Sequence, residues 1–279
     1  MWRAAVLVLA IAALPAAHAQ ERVEFDSQDM AGGKPVRLLG YWFAAPAPKA
    51  NAAALVLLHG CGGPYDRGGK LDERIRGYAA LLNAQGAHAL VLDSLTPRGG
   101  KELCTQRVGT RGVTQGNRRL DALAALGWLS HRSGVDPQRL GLLGWSNGGS
   151  TVLAALNTRH PAVAAASVKA AFAVAFYPGC EAELKRGFEA RAPLQLLVGE
   201  ADDWTRAAPC HELARTAAGV KPMSEGYAGA YHGFDSRAPV RLRKDVPNGV
   251  NPEQGAHVGG DTQSRDTSRE RLLQFLPSH

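Results

Sequence analysis

Cysteine is scarce in this chain. Four residues in 279 include no C-x-x-C pair and none at finger spacing from a histidine, which argues against a structural zinc site. Internal repeats and low-complexity blocks are absent, so solenoid, collagenous and disordered classes fall away. Beyond the first twenty residues no apolar run reaches bilayer length. The stretch 162–176 is interrupted by Ser167 and Lys169 and stops before Pro178, as a buried core segment does. Acidic residues are in deficit, 25 against 32 Lys plus Arg, giving a formal charge of +7. The basic residues are dispersed and no aromatic platform interleaves them, so nucleic acid is not an expected partner, whereas a small anionic one suits the field.

What is present begins with a targeting pattern. Met1-Trp2-Arg3 is a short positive start, Ala4 to Leu14 an apolar core too short to span a membrane, and Ala17-His18-Ala19 an A-x-A cleavage site. Residues 1–19 are therefore expected to be a signal peptide. The mature chain is expected to be periplasmic or secreted, with no membrane attachment after cleavage. In an oxidising compartment the four cysteines are candidates for disulfides, with three possible connectivities.

Hydrophobic residues make up 45% of the chain, enough for a sizeable core, and the length fits one domain over residues 20–279. Short uninterrupted apolar runs recur at Ala54 to Leu58, Ala87 to Leu92, Leu140 to Leu143, Ala170 to Phe176 and Leu194 to Val198. Runs without polar alternation fit strands buried on both faces. Between them, Leu71 to Asn83, Leu120 to Ser130, Gly148 to Asn157 and Ala207 to Ala218 carry apolar residues at helical spacing. The alternation predicts an α/β fold, a mostly parallel central sheet with helices on both faces, whose chemistry gathers at the carboxyl ends of the strands.

Residues just after the strands bear this out as a pattern. Gly144-Trp145-Ser146-Asn147-Gly148-Gly149 contains G-x-S-x-G between a strand and an Ala-rich helix, the context in which a sharp turn holds a serine hydroxyl above the sheet edge. A serine needs a base and an orienting carboxylate. Asp202 and Asp203 compete for the acid after the strand 194–198. His232, in Tyr231-His232-Gly233-Phe234-Asp235, and His257, beyond the last expected strand, compete for the base. His59-Gly60-Cys61-Gly62-Gly63 follows the first buried run, and the backbone N–H groups of Cys61 and Asn147 are the expected oxyanion donors. Arg98, after the strand 87–92, is a candidate for holding a substrate carboxylate, and Trp145 is expected to serve packing.

Taken together, the segments at His59 to Gly63, Gly144 to Gly149, Gly199 to Asp202 and Tyr231 to Asp235 resemble the dienelactone hydrolase family within the α/β-hydrolases, from about residue 50 to the end of the chain. The resemblance implies a cofactor-free hydrolase of small-molecule esters or lactones, with Ser146, Asp202 and His232 in the triad positions. It departs from dienelactone hydrolases proper, which use cysteine where Ser146 stands, so the substrate's name does not carry over. A polyester or lipid hydrolase, an acyltransferase and a silent binding protein remain as alternatives on the same fold. In the α/β-hydrolase strand arrangement Cys61 and Cys104 follow neighbouring strands, as do Cys180 and Cys210. The expected disulfides are accordingly Cys61–Cys104 and Cys180–Cys210.

Overall fold

A computed structural model describes residues 20–46 and 51–276. The expected signal segment, residues 1–19, lies outside the described residues. Eight strands form one sheet: β1 (Gln20–Ala31), β2 (Lys34–Phe43), β3 (Ala52–Leu58), β4 (His88–Asp93), β5 (Val135–Trp145), β6 (Phe172–Phe176), β7 (Leu194–Gly199) and β8 (Met223–Tyr227), in the order β1-β2-β4-β3-β5-β6-β7-β8. From β4 to β8 every pairing is parallel. Only the β1–β2 hairpin is antiparallel, to itself and to β4.

Burial on both faces explains the continuous apolar runs. In β3, Ala54, Val56 and Leu58 enter one core while Ala53, Leu55 and Leu57 enter the other, because successive side chains point to opposite sides of a sheet. Each fully buried leucine contributes about 1.5–3 kcal/mol relative to exposure. On the first face lie α2 (Gln115–Ser130), α3 (Asn147–Leu156) and α6 (Ala208–Thr216); on the second lie α1 (Glu73–Ala84) and α7 (Thr262–Phe275). Two short helices, α4 (Pro161–Ala165) and α5 (Glu181–Arg186), fill the connections around β6.

Local chemistry sets where the helices begin. Asp72 accepts the amides of Arg74 and Ile75 at the start of α1, Thr114 and Asn117 form a reciprocal capping box on α2, and Asp261 accepts the Ser264 amide on α7. Two disulfides lie at the carboxyl edge of the sheet. Cys61–Cys104 joins the loops after β3 and β4, and Cys180–Cys210 joins the N-terminal end of α5 to α6, with Cα separations of 4.9 and 5.1 Å. Among the described residues no helix is long and apolar enough to cross a membrane, and no group of three or more His, Cys, Asp or Glu is placed to hold a metal ion.

Candidate active site

Ser146 follows the end of β5 and stands at the N-cap of α3, where a serine would ordinarily accept a helix amide. It does not cap. Its backbone is held at φ 54°, ψ −118°, which is strained for a residue with a side chain. The turn closes because its flanks are glycines: a Cβ on Gly148 would sit 1.9 Å from the Leu58 carbonyl oxygen, and one on Gly144 2.3 Å from that of Gly148. Freed from the helix, the Ser146 Oγ lies 2.8 Å from His232 Nε2.

His232 follows β8 on a turn pinned by the Gly259 amide, which donates to the His232 carbonyl at 3.0 Å. Its Nδ1 lies 2.8 Å from Asp202 Oδ2. Asp202, on the turn after β7, accepts the Trp204 and Thr205 amides on Oδ1 at 2.8 Å each, and the Thr205 hydroxyl bonds Oδ2 at 3.0 Å. That many donors fix the carboxylate's orientation. Tyr177 and Trp204 flank the imidazole, with ring centroids 4.7 and 4.8 Å away. Behind it, the buried Tyr177 hydroxyl donates to Asp235 at 2.7 Å and accepts from Arg74 at 2.7 Å. Burial, reinforced by the Asp235 charge, pushes that phenol far above its usual range, so it stays protonated.

The two residues that compete with this pair in the sequence are paired with each other. Asp203 Oδ2 lies 2.7 Å from His257 Nδ1, its Oδ1 accepts the His257 amide at 2.8 Å, and Tyr231 packs on the imidazole of His257. This second pair fastens a two-stranded ribbon, Arg241–Arg243 with Ala256–Val258, beside the acid turn. The intervening loop returns to the same turn, where the Val250 amide donates to the Asp203 carbonyl at 2.8 Å.

Ser146 opens on a cleft of about 480 Å³ walled by Cys61 and Asn147 on one side and by Trp204 and Thr205 on another. His59, behind that wall, is buried, and its Nδ1 lies 2.7 Å from the Gly60 carbonyl while Nε2 faces the Ser94 amide. Burial, with Arg118 adding to it, drives its pKa well below the usual imidazole value, so it is neutral, with Nδ1–H donating and Nε2 accepting. A larger groove, about 710 Å³, lies on the far side of the Gly233 turn among Arg74, Tyr78 and Arg269 and does not include Ser146. Of the two, only the smaller cleft is lined by Ser146.

Arg98 requires a correction. It does not line the cleft: its guanidinium donates to Asp29 at 2.6 Å, to both oxygens of Asp121 at 2.8 and 2.9 Å and to the Ser94 carbonyl at 2.8 Å, with its side chain only 10% exposed. These partners occupy the donors that a substrate carboxylate would need. The arginines that do line the cleft are Arg111 and Arg206, which sequence reasoning passed over. Arg206 follows the acid turn closely enough to have been suspected, whereas Arg111 sits in a loop with no pattern to mark it. Trp145 is fully buried against Tyr78 and Phe176, a packing residue as expected.

A profile of the dienelactone hydrolase family matches residues 45–277. The chain belongs to the dienelactone hydrolase family. With the family comes the enzyme class, a carboxylic ester hydrolase. Solved structures of similar fold include a dienelactone hydrolase-like promiscuous phosphotriesterase from metagenomic libraries, 19% identical with a TM-score of 0.62, covering 93% of this chain and 98% of that one. Esterase 2 of Thermogutta terrifontis with bound propionate is 19% identical with a TM-score of 0.62, covering 93% of this chain and 94% of that one. A dienelactone hydrolase of Anabaena variabilis is 20% identical with a TM-score of 0.56, covering 77% of this chain and 88% of that one. At these identities the likeness speaks for the α/β-hydrolase fold alone. A search of curated proteins finds no significant match.

Proposed function

We propose that this member of the dienelactone hydrolase family is an exported, cofactor-free serine hydrolase of small-molecule esters or lactones, working through an acyl-enzyme on Ser146. One observation carries the reading: the unbroken series Ser146 Oγ, His232 Nε2, His232 Nδ1 and Asp202 Oδ2, with 2.8 Å at each hydrogen bond. In this reading His232 takes the serine proton during attack on the carbonyl, and Asp202 holds the ring and stabilises the imidazolium. The backbone N–H groups of Cys61 and Asn147 receive the oxyanion. His232 returns the proton to the leaving alcohol, and water repeats the sequence on the acyl-enzyme. For a lactone the leaving alcohol stays tethered until that second step. Arg111, Glu181 and Arg206 in the cleft wall favour small polar substrates over a polymer or lipid chain, which would need a broad apolar trough. Two disulfides suit the oxidising periplasm or exterior that the leader predicts.

The test is labelling and turnover together. A fluorophosphonate should modify Ser146 in a residue 20–279 protein, identified by peptide mass, and the same preparation should hydrolyse short acyl esters or lactones. Modification of another residue, or a Ser146→Ala variant that keeps wild-type turnover, would overturn the nucleophile. Labelling of Ser146 without turnover of any ester or lactone would overturn the hydrolase reading and leave a binding protein.

A further inference from the structure

Arg118, on the first turn of α2, is the least expected charge in the molecule. It is fully buried, and among the described residues no carboxylate forms a direct ion pair with it, Asp121 and Asp93 acting on it only through space. One Nη donates to the side-chain oxygen of Asn147 and the other to the His59 carbonyl at 2.7 Å. Asn147 carries one of the two amides assigned above to the oxyanion hole. His59 lies two residues before Cys61, which carries the other. The two amides follow different strands, Asn147 at the start of α3 after β5 and Cys61 in the turn after β3, and nothing in the covalent chain keeps them at a fixed spacing. A planar guanidinium with parallel donors is suited to bridging two fixed acceptors.

We propose that Arg118 is a positioning residue for ester hydrolysis: its guanidinium clamps the His59–Cys61 turn to Asn147, fixing both oxyanion donors, and its charge, held in no direct ion pair, favours the negative intermediate. The inference rests on the acyl-transfer reading of Ser146. Burial pulls the guanidinium pKa down to about 10, with Asp121 and Asp93 opposing, so the residue is a cation at neutral pH. A buried cation without a paired anion is costly in the resting protein. A charge that develops nearby only during reaction is stabilised selectively, which raises kcat rather than tightening substrate binding. Gln115 braces the same site from the same helix, its Nε2 donating to the Asn147 carbonyl at 3.0 Å. The N-terminal turn of α2 thus serves as a bracket for the nucleophile turn.

The experiment compares wild type, Arg118→Met, Arg118→Lys and Asn147→Ala. Arg118→Met should lower kcat about a hundredfold, the order seen when an oxyanion donor is lost, with KM within about threefold of wild type. A trifluoromethyl ketone, which forms a tetrahedral oxyanion on the serine, should bind more weakly by the same factor, while the carboxylic acid product should inhibit as before. Arg118→Lys keeps the charge and loses the fork, and should fall between the two. If Arg118→Met does not fold, Arg118→Lys and Asn147→Ala carry the same readouts, and their losses should be less than additive because they cut one link. A folded Arg118 variant with kcat within threefold of wild type, or one whose whole loss lies in KM, overturns the assignment of Arg118 alone. Wild type that turns over no ester overturns the hydrolase reading and this inference with it.

Discussion

Replacing Cys180 and Cys210 by alanine opens a link between positions 30 residues apart, at two sites that are fully buried in the first-face core. In the chain-entropy description, a closed loop of that size removes about 3.6 kcal/mol of freedom from the unfolded state. Loss of two sulfur atoms from a packed core adds about 1 kcal/mol. The expected total, about 4 to 5 kcal/mol, corresponds to a fall of roughly 10 °C in Tm for a chain of this size. The link braces α5 against α6 and contributes none of the proposed reacting groups, so kcat/KM at 25 °C should stay within about threefold. Opening the Cys61–Cys104 link, between positions 43 residues apart, should cost a similar amount by the same entropy. It should also lower kcat, since Cys61 carries a proposed oxyanion amide and would be held only by the Leu103 amide on its carbonyl and by the Arg118 bond to His59 in the same turn. Urea denaturation and ester kinetics on both double variants, with non-reducing peptide maps of wild type, separate the two bridges. A loss below 1 kcal/mol on opening Cys180–Cys210 would refute the entropy estimate. A tenfold fall in its kcat/KM with the fold intact would refute the division of roles.

Ser146→Ala should lower ester turnover by about a million-fold, as in other triads, and His232→Ala should do the same, whereas His257→Ala should keep most activity because its partner is Asp203; the reverse histidine result would move the base. Arg98→Ala should leave KM unchanged but destabilise the fold by about 3 kcal/mol, because buried Asp121 would lose the cation bonded to both its oxygens and keep only Arg118 at longer range; a raised KM for anionic esters with unchanged stability would return Arg98 to the cleft. Neutral, buried His59 makes acid destabilising: its folded pKa is depressed, so the unfolded chain binds the proton first as pH falls below the unfolded value near 6.5. The stability is fully present above that value and is lost as pH falls towards the folded pKa, so unfolding at pH 5.5 should show a loss of stability relative to pH 7.5 that His59→Gln lacks, and an unchanged slope in that variant would refute the linkage.

How much of this fold the sequence discloses depends on burial. Strands β3, β4, β6 and β7, and β5 from Leu140 onward, are covered on both faces and therefore read as unbroken apolar runs, whereas the start of β5, Val135 to Arg139, is mostly polar and largely uncovered and escapes that reading. The β1–β2 hairpin escapes the same reading because, apart from the end of β2 at Trp42 and Phe43, only one of its faces is covered. Along β1, Val23, Phe25 and Ser27 turn inward while Glu24 and Asp26 face water, a period-2 signal diluted by charge. The tight turn at Gly32 and Gly33, both at positive φ, is its clearest mark. Edge strand β8 buries only Tyr227 and is equally faint.

The site divides along a different line. Ser146, Asp202 and His232 can be located because each follows a strand, and the topology brings strand ends together whatever their separation in sequence. A buried arginine has no such rule. Arg98 stands after a strand and so invites a functional reading, yet its anchors, Asp29 and Asp121, are 69 and 23 residues away and lie in β1 and α2. Arg118 stands in a helix, where the pattern gives it no role, yet it reaches His59 and Asn147, 59 and 29 residues distant. Both guanidiniums lie beneath the same end of the sheet, and their difference is one of compensation: Arg98 meets two carboxylates, while Arg118 meets a carbonyl and an amide. A compensated charge stabilises the resting protein and has little left to offer a reaction. A charge that Asp121 and Asp93 balance only through space, with no direct ion pair, is carried at a cost to stability, and in the proposed mechanism that cost is recovered at the oxyanion.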